Sequence, residues 1–209
     1  MTVKVKICGI TSPGDALMAV EAGADALGFL CHPPSPRFLS RQRAAEIIRE
    51  LPPLVAKVGV FVNPTAEDVR RAIGDCGLDT LQFHGEEPPE FCRQFRLKVI
   101  KGFRLQDVES LKPLGAYTTE AWLLDSYLPD KHGGTGVRFN WDLAVIAVQR
   151  GGRVLLAGGL TPENAAEAVR HVRPYGLDVS SGVESTPGKK DASKVRAFIQ
   201  AAKTALPVC

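Results

Sequence analysis

Short apolar runs rich in β-branched residues alternate along this chain with amphipathic stretches, and turn residues separate the two. The runs begin near Val3 (VKVKICGI), Ala24 (ADALGFLC), Val55 (VAKVGVFV), Thr80 (TLQFHG), Lys98 (KVIKGFRL), Ala121 (AWLLDSY), Arg153 (RVLLAGGL) and Gly176 (GLDVSSG). Each is the length of a strand. Between them lie helical patterns such as PGDALMAVEAGA, RQRAAEIIREL, AEDVRRAIGDCG, PEFCRQF and PENAAEAVRHV, and ASKVRAFIQAAKTAL closes the chain. Thr65-Ala-Glu-Asp and Thr161-Pro-Glu-Asn each put a hydroxyl at an expected helix cap, with acidic residues or proline in the first turn.

Strands alternating with helices imply a parallel sheet with crossover helices. An open, doubly wound sheet and a closed barrel both satisfy that pattern. Eight evenly spread units in 209 residues favour closure into a single α/β domain, a (β/α)8 TIM barrel spanning 1–209. The first strand is not followed by G-x-G-x-x-G, which removes the main sign of the open dinucleotide-binding alternative.

In a barrel of this kind, chemistry belongs at the C-terminal ends of the strands. The residues expected there are Cys8, Arg37, Asn63, Gln82, His84, Arg104, Asp125, Gly158-Gly159, and Asp178 with Ser180, Ser181 and Gly182. Paired glycines after the seventh strand let a backbone approach a ligand closely. The VSSGVE turn after the eighth offers N–H groups to an anion. Gly158, Gly159, Ser181 and Gly182 are therefore the expected phosphate-binding residues.

Composition narrows the class. Apolar residues make up 44% and charged residues 23%, as in an ordinary globular chain. No apolar stretch approaches a membrane span, and the N-terminus lacks a secretory signal, so no membrane partner is expected. The net charge of +3 comes from scattered basic residues, with pairs such as Arg70-Arg71 and Lys189-Lys190 and no interleaved aromatics. Nucleic acid is therefore not an expected partner. Five cysteines with no C-x-x-C pair argue against a disulfide framework or zinc site, and for a cytoplasmic setting.

Several segments match one family in order. They are KICGIT (6–11), GADALGF (23–29), SPR (35–37), GVFVN (59–63), QFHG (82–85), LLDS (123–126), GGTG (133–136), LAGGLTPENA (156–165), DVSSGVE (178–184) and PGKKD (187–191). On these residues the chain resembles phosphoribosylanthranilate isomerase, the third-step enzyme class of tryptophan biosynthesis. The resemblance implies an Amadori rearrangement of N-(5'-phosphoribosyl)anthranilate with no metal or organic cofactor. It implies a phosphosugar substrate and a monomer or homodimer. It assigns Cys8 as base and Asp125 as acid, and Arg37 to the anthranilate carboxylate; His84 is expected as a substrate contact or a satisfied strand-end histidine, and Asp178 as a ribose-hydroxyl contact or an anchor of the adjacent turn. A nearby positive charge would lower the Cys8 pKa and supply a thiolate.

The chain departs from that family at Cys31-His32-Pro33-Pro34. Cys31 ends the strand expected beside that of Cys8, so the two sulfurs are expected to be close enough for oxidation to silence the base. Two other readings stand beside this one: a related aminosugar-phosphate isomerase, and a catalytically silent phosphate-binding barrel.

Overall fold

A computed structural model describes residues 2–126 and 141–206. The GGTG segment, His132 and Cys209 lie outside the described residues. The eight expected strands all form: β1 Lys4–Cys8, β2 Ala26–Leu30, β3 Ala56–Phe61, β4 Thr80–Phe83, β5 Lys98–Leu105, β6 Ala121–Ser126, β7 Val154–Leu156 and β8 Gly176–Val179. They close in chain order into a parallel barrel, β8 pairing back onto β1.

Alternation along the strands builds two separate cores. Outward residues such as Val5, Ile7, Leu27, Phe29, Leu81 and Phe83 pack beneath the helices. Inward residues Cys8, Val58, Val60, Ile100, Ala121, Leu123, Leu155 and Ala157 fill the barrel. Each fully buried large apolar side chain contributes roughly 1.5–3 kcal/mol relative to exposure. The outer layer therefore carries most of the stability, which leaves the inner rim open to polar chemistry.

The helices are α1 Pro13–Glu21, α2 Arg41–Arg49, α3 Ala66–Cys76, α4 Pro89–Cys92, α5 Trp141–Gln149, α6 Ala165–Val172 and α7 Ala192–Thr204. Thr65 caps α3 as expected, its side chain accepting from the Asp68 N–H. Thr161 does not cap α6. That helix starts at Ala165 after Asn164, whose Oδ1 instead accepts from the Thr161 N–H at 2.8 Å. PEFCRQF contracts to the single turn of α4.

Two elements go beyond the sequence reading. The helix α5 (WDLAVIAVQ) is apolar around most of its circumference and so lacks a clear helical stripe. A short antiparallel hairpin, β9 Glu184–Thr186 and β10 Lys189–Lys190, follows β8. Its turn reaches the loop after β1, where the Thr11 hydroxyl donates to the Gly188 carbonyl. The hairpin thus sits against the mouth of the barrel beside Cys8. Among the described residues, no helix is long and apolar enough to cross a membrane.

Candidate active site

Cys8 is the last residue of β1 and faces into the barrel, 7% exposed. Lys6, two residues earlier, shares that face and is also buried. Lys6 Nζ donates to Asp178 Oδ1 at 2.8 Å, across the β1–β8 register that pairs Lys6 with Asp178. Gly28 lies opposite Cys8 on β2. A Cβ there would stand 2.7 Å from Cys8 Sγ and 3.1 Å from Lys6 Nζ, so the missing side chain makes room for both.

Burial pushes the Cys8 thiol above its ordinary value, while Lys6 and Lys190 pull the other way and Asp178 adds to the rise. This corrects the sequence expectation of a lowered thiol. Cations are present, but desolvation of a sulfur inside the barrel outweighs them. Burial also disfavours charge on Lys6, yet Asp178 and Cys8 more than offset it and raise the Lys6 pKa.

A second ionic group lies beside Cys8. Arg37 Nε and Nη2 bind Glu184 Oε1 and Oε2 at 2.8 and 2.6 Å, a two-pronged contact suited to a planar carboxylate. Lys190 Nζ donates to the other side of the cluster, to Glu184 Oε1 at 2.9 Å, the Cys8 carbonyl at 2.6 Å and the Ser180 carbonyl at 3.2 Å. Gly9 makes this packing possible. It takes φ +77°, and a Cβ there would lie 2.5 Å from the Arg37 side chain. The Ser180 hydroxyl is buried without a hydrogen-bond partner. Glu184 and Lys190 were not singled out by the sequence reading, because their partners are 147 and 182 residues away along the chain.

Across the barrel, His84 Nε2 stands 3.3 Å from Asp125 Oδ2. The His84 ring also meets Gln82 Nε2 at 3.2 Å through Nδ1. Gly102 on the intervening β5 leaves room for the imidazole. Behind this pair, the buried Lys101 ammonium contacts Glu87 at 3.1 Å and the carbonyls of Gly85 and Gly102 at 2.6 and 3.0 Å. Glu87 accepts in turn from the N–H groups of Asn63 and Gly85 at 2.7 and 3.0 Å. This pair ties together the ends of β3, β4 and β5, and so holds the loop that carries His84.

A pocket of about 270 Å³ joins several of the expected residues. Asp125, Asp178, Gly158, Gly159, Ser181 and Gly182 all line it. Gly158 and Gly159 take φ of +80° and +63°, consecutive left-handed residues that only glycine adopts readily. Asn164 braces that turn, donating to the Gly159 carbonyl at 2.9 Å. Gly182 packs directly onto the Leu160 carbonyl, so the loops after β7 and β8 form one surface. No group of three or more His, Cys, Asp or Glu among the described residues is arranged to hold a metal ion.

Cys31 is not part of this site. It follows β2 with outward parity and packs against the outer core, whereas Cys8 faces inward. The expected proximity of the two sulfurs is therefore overturned: neighbouring strand ends do not bring together residues on opposite faces of a sheet. Burial raises the Cys31 pKa to about 12, and its electrostatic neighbours are Cys76 and Arg41.

The sequence profile of the N-(5'-phosphoribosyl)anthranilate (PRA) isomerase family matches residues 5–201. The chain belongs to this family. N-(5'-phosphoribosyl)anthranilate isomerase of Trichlorobacter lovleyi is 55% identical over 204 residues, 98% of this chain and 100% of that protein. The crystal structure of phosphoribosyl anthranilate isomerase from Thermotoga maritima superposes with a TM-score of 0.92 at 44% identity, covering 97% of this chain and 99% of that one. A phosphoribosyl anthranilate isomerase crystallised with reduced 1-(o-carboxyphenylamino)-1-deoxyribulose 5-phosphate superposes with a TM-score of 0.88 at 42% identity, with the same two coverages. Phosphoribosylanthranilate isomerase activity, a step of tryptophan biosynthesis, comes with this membership. Within the isomerase barrel, most of the residues singled out from sequence, though not Asn63 or Arg104, fall into three groups on one rim: Cys8 with Asp178 and Arg37, His84 with Asp125, and the two loops after β7 and β8.

Proposed function

We propose that this chain performs the Amadori rearrangement with Asp125 as the acid and Cys8 as the base. The pocket carries this reading, because Asp125, Asp178 and two glycine-containing loops line it together. The phosphate of the substrate binds between Gly158-Gly159 and Ser181-Gly182, where backbone can approach an anion closely. The ribose lies between Asp125 and Asp178. Arg37, fixed by Glu184, takes the anthranilate carboxylate on the part of its guanidinium that Glu184 leaves over.

Asp125 then gives its proton to the furanose ring oxygen. The C1'–O bond breaks and the nitrogen lone pair forms an imine. His84 keeps the Asp125 carboxyl in place. The Cys8 thiolate removes the C2' proton, and the C2'–H electron pair moves to give an enolamine. That species tautomerises to the ketone of 1-(2-carboxyphenylamino)-1-deoxyribulose 5-phosphate. The cationic imine acidifies C2', so a modest base suffices. Each step is a proton transfer and none draws on a cofactor. The test is loss of fluorescence from freshly generated phosphoribosylanthranilate. The chain should consume it far faster than buffer does. A rate equal to that in buffer, with folded protein present, overturns the proposal.

A further inference from the structure

The geometry points to Lys6 as the counter-cation that makes a thiolate at Cys8 tenable inside the barrel, with Asp178 holding the ammonium beside the sulfur. This inference rests on the reading of Cys8 as the base and adds a positioning residue to it. Lys6 and Cys8 share the inward face of β1, and the bare Cα of Gly28 leaves them a common space. A Cβ built at Gly28 would sit within 3.1 Å of both the Lys6 nitrogen and the Cys8 sulfur. Lys6 is 2% exposed, so water supplies little of its solvation. Its carboxylate partner, Asp178, lies one strand away at 2.8 Å.

Among the described residues, few charged groups lie around the sulfur. Lys6 comes from β1 and Asp178 from β8. Arg37 comes from the loop after β2, and Lys190 from β10. Arg37 is bound edge-on to Glu184. Lys190 is divided among the Cys8 carbonyl, the Ser180 carbonyl and Glu184. Among the described residues, Lys6 has one carboxylate partner, Asp178, and the sulfur lies beside it. As a proton leaves Cys8, the ammonium can answer the new negative charge without moving to a different strand. Asp178 has the opposite influence, since a carboxylate near the sulfur opposes a second anion.

The two residues should therefore move the thiol in opposite directions. The rate of Cys8 alkylation by iodoacetamide, followed by mass spectrometry of the Cys8 peptide, reads this directly as a function of pH. Lys6→Met should shift the Cys8 profile upward by about one pH unit, making alkylation near neutrality about tenfold slower. Asp178→Asn should shift it downward. Lys6→Met strands a buried carboxylate, so the double variant Lys6→Met/Asp178→Asn guards against loss of fold. Its profile should lie above that of Asp178→Asn alone. Coincidence of the double variant with Asp178→Asn, or of Lys6→Met with the parent chain, overturns the inference. If the alkylation profiles shift as stated while the pH dependence of kcat/KM stays in place, Lys6 governs the thiol but Cys8 is not the base. That outcome overturns the reading beneath the inference and leaves the pairing itself supported.

Discussion

His84 on the loop after β4 reaches Asp125 at the end of β6 because the strand between them carries Gly102 at the crossing point. A Cβ at Gly102 would lie 2.6 Å from His84 Nδ1, while His84 Nε2 meets Asp125 at 3.3 Å. An added methyl must therefore push the imidazole off Asp125. Gly102→Ala should lower kcat by about ten- to a hundredfold, in line with the penalty for small misplacements of reacting groups. Circular dichroism should show the barrel intact. Unchanged kcat would mean that the His84–Asp125 contact does not matter to the reaction.

Gly182 gives a test of the other end of the substrate. It rests on the Leu160 carbonyl, so Gly182→Ala forces the loops after β7 and β8 apart. KM should rise at least about tenfold, with a smaller change in kcat, because the phosphate is a non-reacting handle. Inhibition by inorganic phosphate should weaken in parallel. A variant with normal KM and normal phosphate inhibition places the anion elsewhere.

The ionic cluster at Arg37 makes stability depend on pH. Burial disfavours a charged Glu184, but Arg37 and Lys190 outweigh it and hold its pKa below the ordinary carboxylate value. A depressed native pKa means that the unfolded chain binds the proton more tightly. The stabilisation is therefore present above the unfolded carboxylate pKa, about 4.3, and is lost as pH falls through the lower native value. Thermal melts between about pH 3 and 7 should show Tm falling more steeply on the acid side in the parent chain than in Glu184→Gln. Equal slopes would show that this cluster does not contribute to acid sensitivity.

The cysteine geometry predicts a negative result under oxidation. Cys8 faces the barrel interior and Cys31 the layer beneath the helices. Diamide treatment should leave both as free thiols within the chain, and Cys31→Ala should keep full turnover. A Cys8–Cys31 disulfide found by peptide mapping would contradict the strand parity described above.

That parity shows where sequence reading reaches and where it stops. The eight strands and the rim positions of Cys8, His84, Asp125 and Asp178 follow from local alternation, which depends on near neighbours. Cys31 alternates with Leu27 and Phe29 on the outward face, so adjacency of the two strand ends, without their parity, misplaces it beside Cys8. The regular helix α6 begins at Ala165, later than a Thr161 cap implies, although the Ala165 N–H still bonds the Thr161 carbonyl. Lys6, Glu184 and Lys190 fall in segments the sequence marks, but their roles rest on partners distant in sequence that barrel closure brings near. The direction of the Cys8 shift depends on burial against charge, a balance visible only when both surround the sulfur together. The rearrangement itself came from family resemblance, as proximity of an acid and a thiol does not name a substrate.

The central claim is that Cys8 and Asp125 do chemistry and not binding. The most direct measurement sets turnover beside affinity for Cys8→Ala and Asp125→Asn, using reduced 1-(o-carboxyphenylamino)-1-deoxyribulose 5-phosphate as the binding probe. The account predicts that each variant loses at least about two orders of magnitude in kcat, while its Kd for the probe stays within about threefold of the parent. Near-normal kcat in either variant, or a loss of probe affinity as large as the loss of turnover, would contradict it.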